Sequence, residues 1–269
     1  MIPLTSRRHP FVVRCRELAG GRGSDDAGVL LDGPHLIADA LAAGVKISAI
    51  AVGPRLLDEP ATRAMLATLQ SGACEIFTAS ESVLEAASPV RSPSGMVAVG
   101  RFVPAGPERV FAAGADLVLG GVGLQDPGNV GAIIRAADAA GATGMVVTCG
   151  GADPLGWKAL RGSAGSAFRL PLATGLTAAA ACTLARARGL RVIATCPAAG
   201  QDLHEIDLTG PLFLLLGGEG PGLSDEMIAA ADSRLRIPLR VPVESLNVAV
   251  AAGIILFEAR RQRREMRRM

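Results

Sequence analysis

Gly120-Gly121-Val122-Gly123-Leu124-Gln125-Asp126-Pro127-Gly128-Asn129-Val130-Gly131-Ala132-Ile133-Ile134-Arg135 reads as the end of a strand, a turn and the start of a helix. Asp126-Pro127-Gly128-Asn129 is strong turn chemistry, and Asn129 is well placed to cap the helix that follows. Arg135 falls about a turn and a half into that helix, able to face whatever occupies the strand ends. Open α/β sheets bind ligands beyond the carboxyl ends of their strands, so the location suits a site. Taken alone, an arginine on a surface helix is more often simply solvated.

The same alternation extends in both directions. Upstream, Val29–Leu31, Ile47–Val52, Glu75–Thr78 and Met96–Val99 are β-branched or apolar runs separated by Ala/Leu-rich segments of helical length. Downstream, strands are expected near Leu117–Leu119, Met145–Thr148, Val192–Thr195, Leu212–Leu216 and Leu235–Ile237, again with helices between them. This βαβ pattern predicts a parallel α/β architecture. Between the two series, Phe102-Val103-Pro104-Ala105-Gly106-Pro107-Glu108 suits a hinge and not a central strand. A first domain is therefore expected over 1–103, a linker over 104–111 and a second domain over 112–269. Gly20–Asp26 reads as a loop within the first domain, and the last helix is expected from about Leu246 into an arginine-rich tail.

Composition narrows the function classes. Of 269 residues, 49% are hydrophobic and 19% charged, which describes a globular chain with ample material for a core and excludes a disordered one. The apolar runs at Leu212–Leu216 and Val248–Phe257 fall short of the roughly 20 residues that span a bilayer, so no membrane association is expected. Arg7, Arg8 and His9 interrupt the place where an export signal would carry its apolar core, which makes the cytoplasm the default location. Five scattered cysteines without a C-x-x-C pair argue against both a disulfide framework and a metal site, and read as reduced, mostly buried thiols. The net charge of +2 is too small to signal nucleic-acid binding. Arginines nevertheless crowd both ends of the chain, where the bland reading is a solvated helix face.

Two further segments carry chemistry. Leu214-Leu215-Leu216-Gly217-Gly218-Glu219-Gly220-Pro221-Gly222-Leu223-Ser224 is a buried strand running into a glycine-rich loop, with Ser224 as cap of the next helix. It contains no lysine for a Walker loop and no G-x-G-x-x-G for a dinucleotide site. In Leu235–Gly253, Pro238 and Pro242 withhold backbone donors, so the loop cannot fully join a ladder and its carbonyls are free for other partners, as an adenine ring requires. Ser245 can equally be an ordinary helix cap.

Taken together the three segments resemble, in order and spacing, the three motifs of the SpoU/TrmH RNA 2′-O-methyltransferases of the SPOUT superfamily. Asn129, Gly131 and Arg135 match N-x-G-x-x-x-R; Gly217, Glu219, Gly222 and Leu223 match G-x-E-x-x-G-L; Ile237, Pro238, Ser245, Leu246, Asn247 and Val248 match I-P…S-L-N-V. Lys158–Ser166 is similar to the family's K-x-x-R-x-S-x-G segment. The resemblance covers Asp116 to about Arg263, and more loosely the first domain through His9-Pro10 and Leu31-Asp32-Gly33, where His9 and Asp32 replace the more usual Asn and Glu.

The resemblance implies an α/β fold whose C-terminal methyltransferase domain carries a trefoil knot, preceded by a smaller domain similar to ribosomal protein L30e. It implies S-adenosylmethionine as cofactor, contacted by Thr195, Gly217, Gly218, Ile237 and Leu246. Arg135, Asn129, Glu219, Ser245 and Asn247 become the candidate catalytic residues, and Arg7, Arg8, Arg14, Arg22, Lys158 and Arg161 the candidate RNA contacts. A homodimer is implied, with the apolar Val248–Phe257 face of the last helix as its candidate contact. RNA is the expected substrate, ribosomal in preference to transfer RNA; a non-catalytic RNA-binding or ribosome-assembly protein of the same fold is the alternative.

Overall fold

The computed structural model describes residues 1–21 and 27–268. Arg22 and most of the loop expected at 20–26 thus lie outside the described residues. The chain forms two compact units, Met1–Val103 with Leu155–Phe168, and Pro104–Pro154 with Arg169–Met269.

The first unit runs β1 (Ile2–Leu4), α1 (Pro10–Ala19), β2 (Gly28–Asp32), α2 (Pro34–Ala42), β3 (Lys46–Val52), α3 (Pro54–Leu57), α4 (Pro60–Gln70), β4 (Glu75–Ala79), α5 (Glu81–Ala87) and β5 (Met96–Arg101). The sheet order is β1-β4-β3-β5-β2. Here the expectation of a parallel sheet is corrected: β1, β4 and β3 are parallel, but β5 runs antiparallel to both β3 and β2. The seven residues of α5 advance the chain by only about 10 Å. The 88–95 segment then delivers Met96 opposite Val52, at the carboxyl end of β3, so β5 runs back along it. Phe11, Val12, Cys15, Phe77, Leu84 and Val97 form the core on one face of this sheet.

The second unit opens with α6 (Pro107–Val110), β6 (Leu117–Val122), α7 (Pro127–Ala140) and β7 (Gly144–Val147). The chain then gives α8 (Trp157–Ser163) to the first unit, where it packs on β2 and seats Trp157 against the core. It returns as β8 (Leu172–Ala173), α9 (Ala178–Ala187), β9 (Arg191–Thr195), β10 (Gln201–Asp202), β11 (Leu212–Gly217), α10 (Asp225–Ala230), β12 (Ser233–Arg236) and α11 (Val248–Met266).

All seven strands of the second unit are parallel, in the order β10-β12-β9-β11-β6-β7-β8. Leu212, Phe213, Leu214, Leu215 and Leu216 are all buried, as a central strand covered on both faces must be. α11 lies along α7, and its arginine tail is partly structural. The Arg263 guanidinium donates to the carbonyls of Leu208, Asp116 and Gly210 at 2.9, 3.0 and 2.6 Å, satisfying acceptors that a turn leaves open. Burial holds its pKa below the usual arginine value. All five cysteines are free; Cys15 and Cys196 are buried, Cys74 and Cys182 half-buried, and Cys149 is exposed.

Candidate active site

Because β6, β9, β11 and β12 are parallel neighbours, their carboxyl ends share one edge of the sheet, and the loops leaving them converge there. The segments after β9, β11 and β12, with the start of α11, line a cleft of about 600 Å³. Its apolar walls are Leu216, Ile237, Leu239, Leu246 and Ile255, and Glu219 and Asp225 supply carboxylates.

Backbone crowding at the cleft explains two glycines. A Cβ on Gly217 would sit 2.6 Å from the carbonyl carbon of Gly222, and one on Gly218 would strike the carbonyl oxygen of Gly123. The Gly218 N–H donates to Val122 O at 2.7 Å, fastening the glycine loop to the end of β6. Close approach of one backbone to another thus demands glycine at both positions. The turn after β6 is fixed on its other side as well: Ala152 N donates to Leu124 O at 2.7 Å, and Gln125 Nε2 to Gly150 O at 2.7 Å.

The polar residues form a chain across three segments, the first turn of α7, the glycine loop after β11 and the cap of α11. Asn247 Nδ2 donates to Asn129 Oδ1 at 3.0 Å, and Asn129 Nδ2 donates to Glu219 Oε1. Asn129 does not cap α7 as expected. Asp126 does, accepting from Gly128 N at 2.6 Å with Pro127 at the first helical position, the place where a missing N–H costs nothing. The Asn129 amide is thereby free to bridge. Ser245 is not a cap either: α11 starts at Val248, and Asn247 Oδ1 accepts from Ala249 N at 2.9 Å and Val250 N at 3.2 Å. Ser224 caps α10 as expected, accepting from Met227 N.

Thr195, Gly217, Gly218, Ile237 and Leu246 all line the cleft, together with Glu219, Ser245 and Asn247. Thr195 spends its hydroxyl on Leu215 O at 2.9 Å and so offers the cleft backbone and methyl group. Asn129 joins through its hydrogen bonds, whereas Arg135 is exposed on α7 and is not among the lining residues. Of the candidate RNA contacts, Arg7, Arg8, Lys158 and Arg161 are exposed on the first unit. Arg14 is half-buried and pairs with Glu17 at 3.4 Å. Lys158 Nζ lies 5.5 Å from the centre of the Trp157 ring. Sequence reasoning missed Asp225, Leu239 and Ile255 in the lining. Asp225 follows the Ser224 cap directly, as an acid in a first helical turn commonly does.

The decisive comparison is at the level of family: residues 116–257, which hold this cleft, match the model of the SpoU rRNA Methylase family. The chain belongs to that family. This SpoU methylase is 36% identical over 266 residues to an uncharacterized tRNA/rRNA methyltransferase of Synechocystis sp., covering 96% of this chain and 93% of the relative. It is 32% identical over 231 residues to the 23S rRNA (guanosine(2553)-2′-O)-methyltransferase RlmP of Bacillus subtilis, covering 86% and 88%. In three dimensions the SpoU methylase superposes on the AdoMet-bound rRNA methyltransferase from Sinorhizobium meliloti with a TM-score of 0.85 at 30% identity, over 96% of this chain and 97% of that one.

The cleft of this methylase fits S-adenosylmethionine on its own chemistry. Its volume of about 600 Å³ lies within the range of about 300 to 1,000 Å³ that small-molecule sites occupy. Apolar walls beside open backbone groups suit an adenine, and the carboxylates of Glu219 and Asp225 suit the cationic end of the cofactor.

Proposed function

We propose that this enzyme transfers a methyl group from S-adenosylmethionine to a ribose 2′-hydroxyl of large-subunit ribosomal RNA. The observation that carries the reading is the Asn247–Asn129–Glu219 chain at the mouth of a cleft shaped for the cofactor. When bound, S-adenosylmethionine supplies an electrophilic methyl group on a sulfonium centre.

The chain's residues do the rest. Gly217, Gly218, Ile237 and Leu246 would hold the cofactor largely through backbone, with Thr195 as a further contact. Asn129, Glu219, Ser245 and Asn247 present hydrogen-bond donors and acceptors that orient the ribose. The ribose oxygen would form its bond to the methyl carbon as the carbon–sulfur bond breaks, leaving the neutral thioether; its proton would pass to solvent water, and the negative charge that develops on the oxygen needs a fixed positive partner. Arg135 takes that role; a guanidinium stays protonated and so acts as an electrostatic stabiliser rather than a base. Its exposed position on α7 leaves it open to RNA phosphate.

The same reading gives the second unit a trefoil knot through the loops that form the cleft. It gives the first unit an L30e-like role in gripping RNA through Arg7, Arg8, Arg14, Lys158 and Arg161, and places the enzyme in the cytoplasm. The enzyme acts as a homodimer. Val250, Ile254 and Phe257 leave 52%, 40% and 51% of their surface exposed at helical spacing on α11, an apolar stripe that a second copy would cover.

The test is transfer of tritiated methyl from S-adenosylmethionine to unmodified large-subunit rRNA and to bulk tRNA, followed by mapping of alkali-resistant linkages. Label in rRNA as 2′-O-methylribose is the expected result. Label confined to tRNA would reassign the substrate, and cofactor binding without transfer to either RNA would favour an assembly role.

A further inference from the structure

The exposed face of α11 changes chemistry along its length. Beyond the apolar stripe that ends at Phe257 comes a row of arginines, Arg260, Arg264 and Arg268, at four-residue intervals. Arg260 and Arg264 thus stand on one side of the helix, about 6 Å apart along its axis, and Arg268 follows in the turn just past its end. With Ala139 at the end of α7, Phe257 at the end of the apolar stripe, Arg261 and Glu265, they line a second cleft, of about 550 Å³, which shares no lining residue with the cofactor cleft.

The charges in this cleft are unequally engaged. Arg260 Nη1 donates to Ala139 O at 2.6 Å, near the carboxyl end of α7 where a cation is favoured. Arg261 is held between Glu258 and Glu265, both at 2.7 Å. Arg264 and Arg268 are exposed. The lining sets four arginines against Glu265, and with Glu258, which also pairs with Arg261, the local surplus is two positive charges. A cleft lined by one sign of charge concentrates anions at its surface.

We infer that this arginine cleft is a second RNA-binding surface, which takes backbone phosphates of the substrate RNA outside the nucleotide that is methylated. The inference rests on the RNA methyltransferase reading above. Guanidinium groups match phosphate geometry with paired hydrogen bonds, and Arg264 and Arg268 offer two exposed ones in a single cleft. Arg260 and Arg261, pinned by their partners, shape the cleft; Arg264 and Arg268 reach the phosphates.

The test compares the full chain with its Arg264→Gln/Arg268→Gln variant, both positions being exposed. Binding to an unmodified large-subunit rRNA transcript is measured over a range of KCl concentrations, with cofactor affinity and sedimentation alongside. The expected result is weaker RNA binding by the variant, a slope of log K against log salt shallower by about 1.5 to 2, and unchanged cofactor affinity and mass. An unchanged slope, with wild-type methylation of rRNA intact, would overturn the cleft's role and leave the enzyme reading standing. Loss of the dimer in the variant would also overturn it, because the arginines would then serve subunit association. No RNA binding or methylation by the wild type would sink both readings together.

Discussion

Asn129 and Asn247, 118 residues apart in sequence, are joined by a 3.0 Å hydrogen bond from the amide of Asn247 to the side-chain oxygen of Asn129. The same Asn247 caps α11 through its own side-chain oxygen. One side chain thus starts the last helix and completes the polar chain at the cleft, and the two tasks use different atoms.

Asn247→Asp separates those tasks. A carboxylate still accepts from Ala249 and Val250 but cannot donate to Asn129, so thermal stability should stay near wild type while methyl transfer falls on the order of 10-fold, the worth of one hydrogen bond. Asn247→Ala should lose about 1 kcal/mol of stability as well. Thermal melts and single-turnover rates read the two effects; equal stability loss in both variants would show that the cap is not separable.

Arg135→Ala should lower the methylation rate by roughly 10²-fold, the usual cost of one fixed charge stabiliser, and leave cofactor affinity unchanged. Calorimetric titration with S-adenosylmethionine checks the second half. Near-normal turnover would remove Arg135 from the mechanism.

Gly218→Ala drives a methyl group into the carbonyl oxygen of Gly123, which must move and carry the start of α7 with it. Destabilisation by about 1 to 3 kcal/mol is expected, with a loss of cofactor affinity. Urea unfolding and titration calorimetry measure both.

Ile254→Glu places a charge in the middle of the exposed apolar stripe of α11. Sedimentation equilibrium should then report the mass of one chain where the wild type reports two. A wild-type mass for the variant would move the dimer contact elsewhere.

Glu258 is held down to about pKa 2, chiefly by its hydrogen bond from Arg261, with burial opposing and Gln262 assisting. A carboxyl whose folded pKa is depressed stabilises the fold above its unfolded pKa, near 4.3, and loses that contribution as pH falls toward the folded value. The melting temperature of Glu258→Gln should therefore lie below wild type at pH 7, and the gap should narrow between pH 5 and pH 2.

Much of the strand pattern is legible in the chain. β2 to β7, β9, β11 and β12 all fall where apolar or β-branched runs are broken by turn residues. The strands that escape, β1, β8 and β10, have three, two and two residues, and each lies at a sheet edge. Segments so short carry no alternation to read. The caps were legible in principle too. Pro127 favours the first helical position and so points to Asp126 as cap, which leaves Asn129 available for the site.

What the sequence alone determines here is local: where strands and helices form, where glycine permits a turn, and which residue types three separate segments offer. Those properties follow from periodicity and from the conformational limits of single residues. The tertiary structure decides the reversal of β5, the return of Leu155–Phe168 to the first unit, and the meeting of Asn129, Glu219 and Asn247. The first rests on β5 pairing with β3, the second on α8 packing against β2, and the third on β6 pairing with β11; each is a relation between distant segments that neither segment encodes by itself.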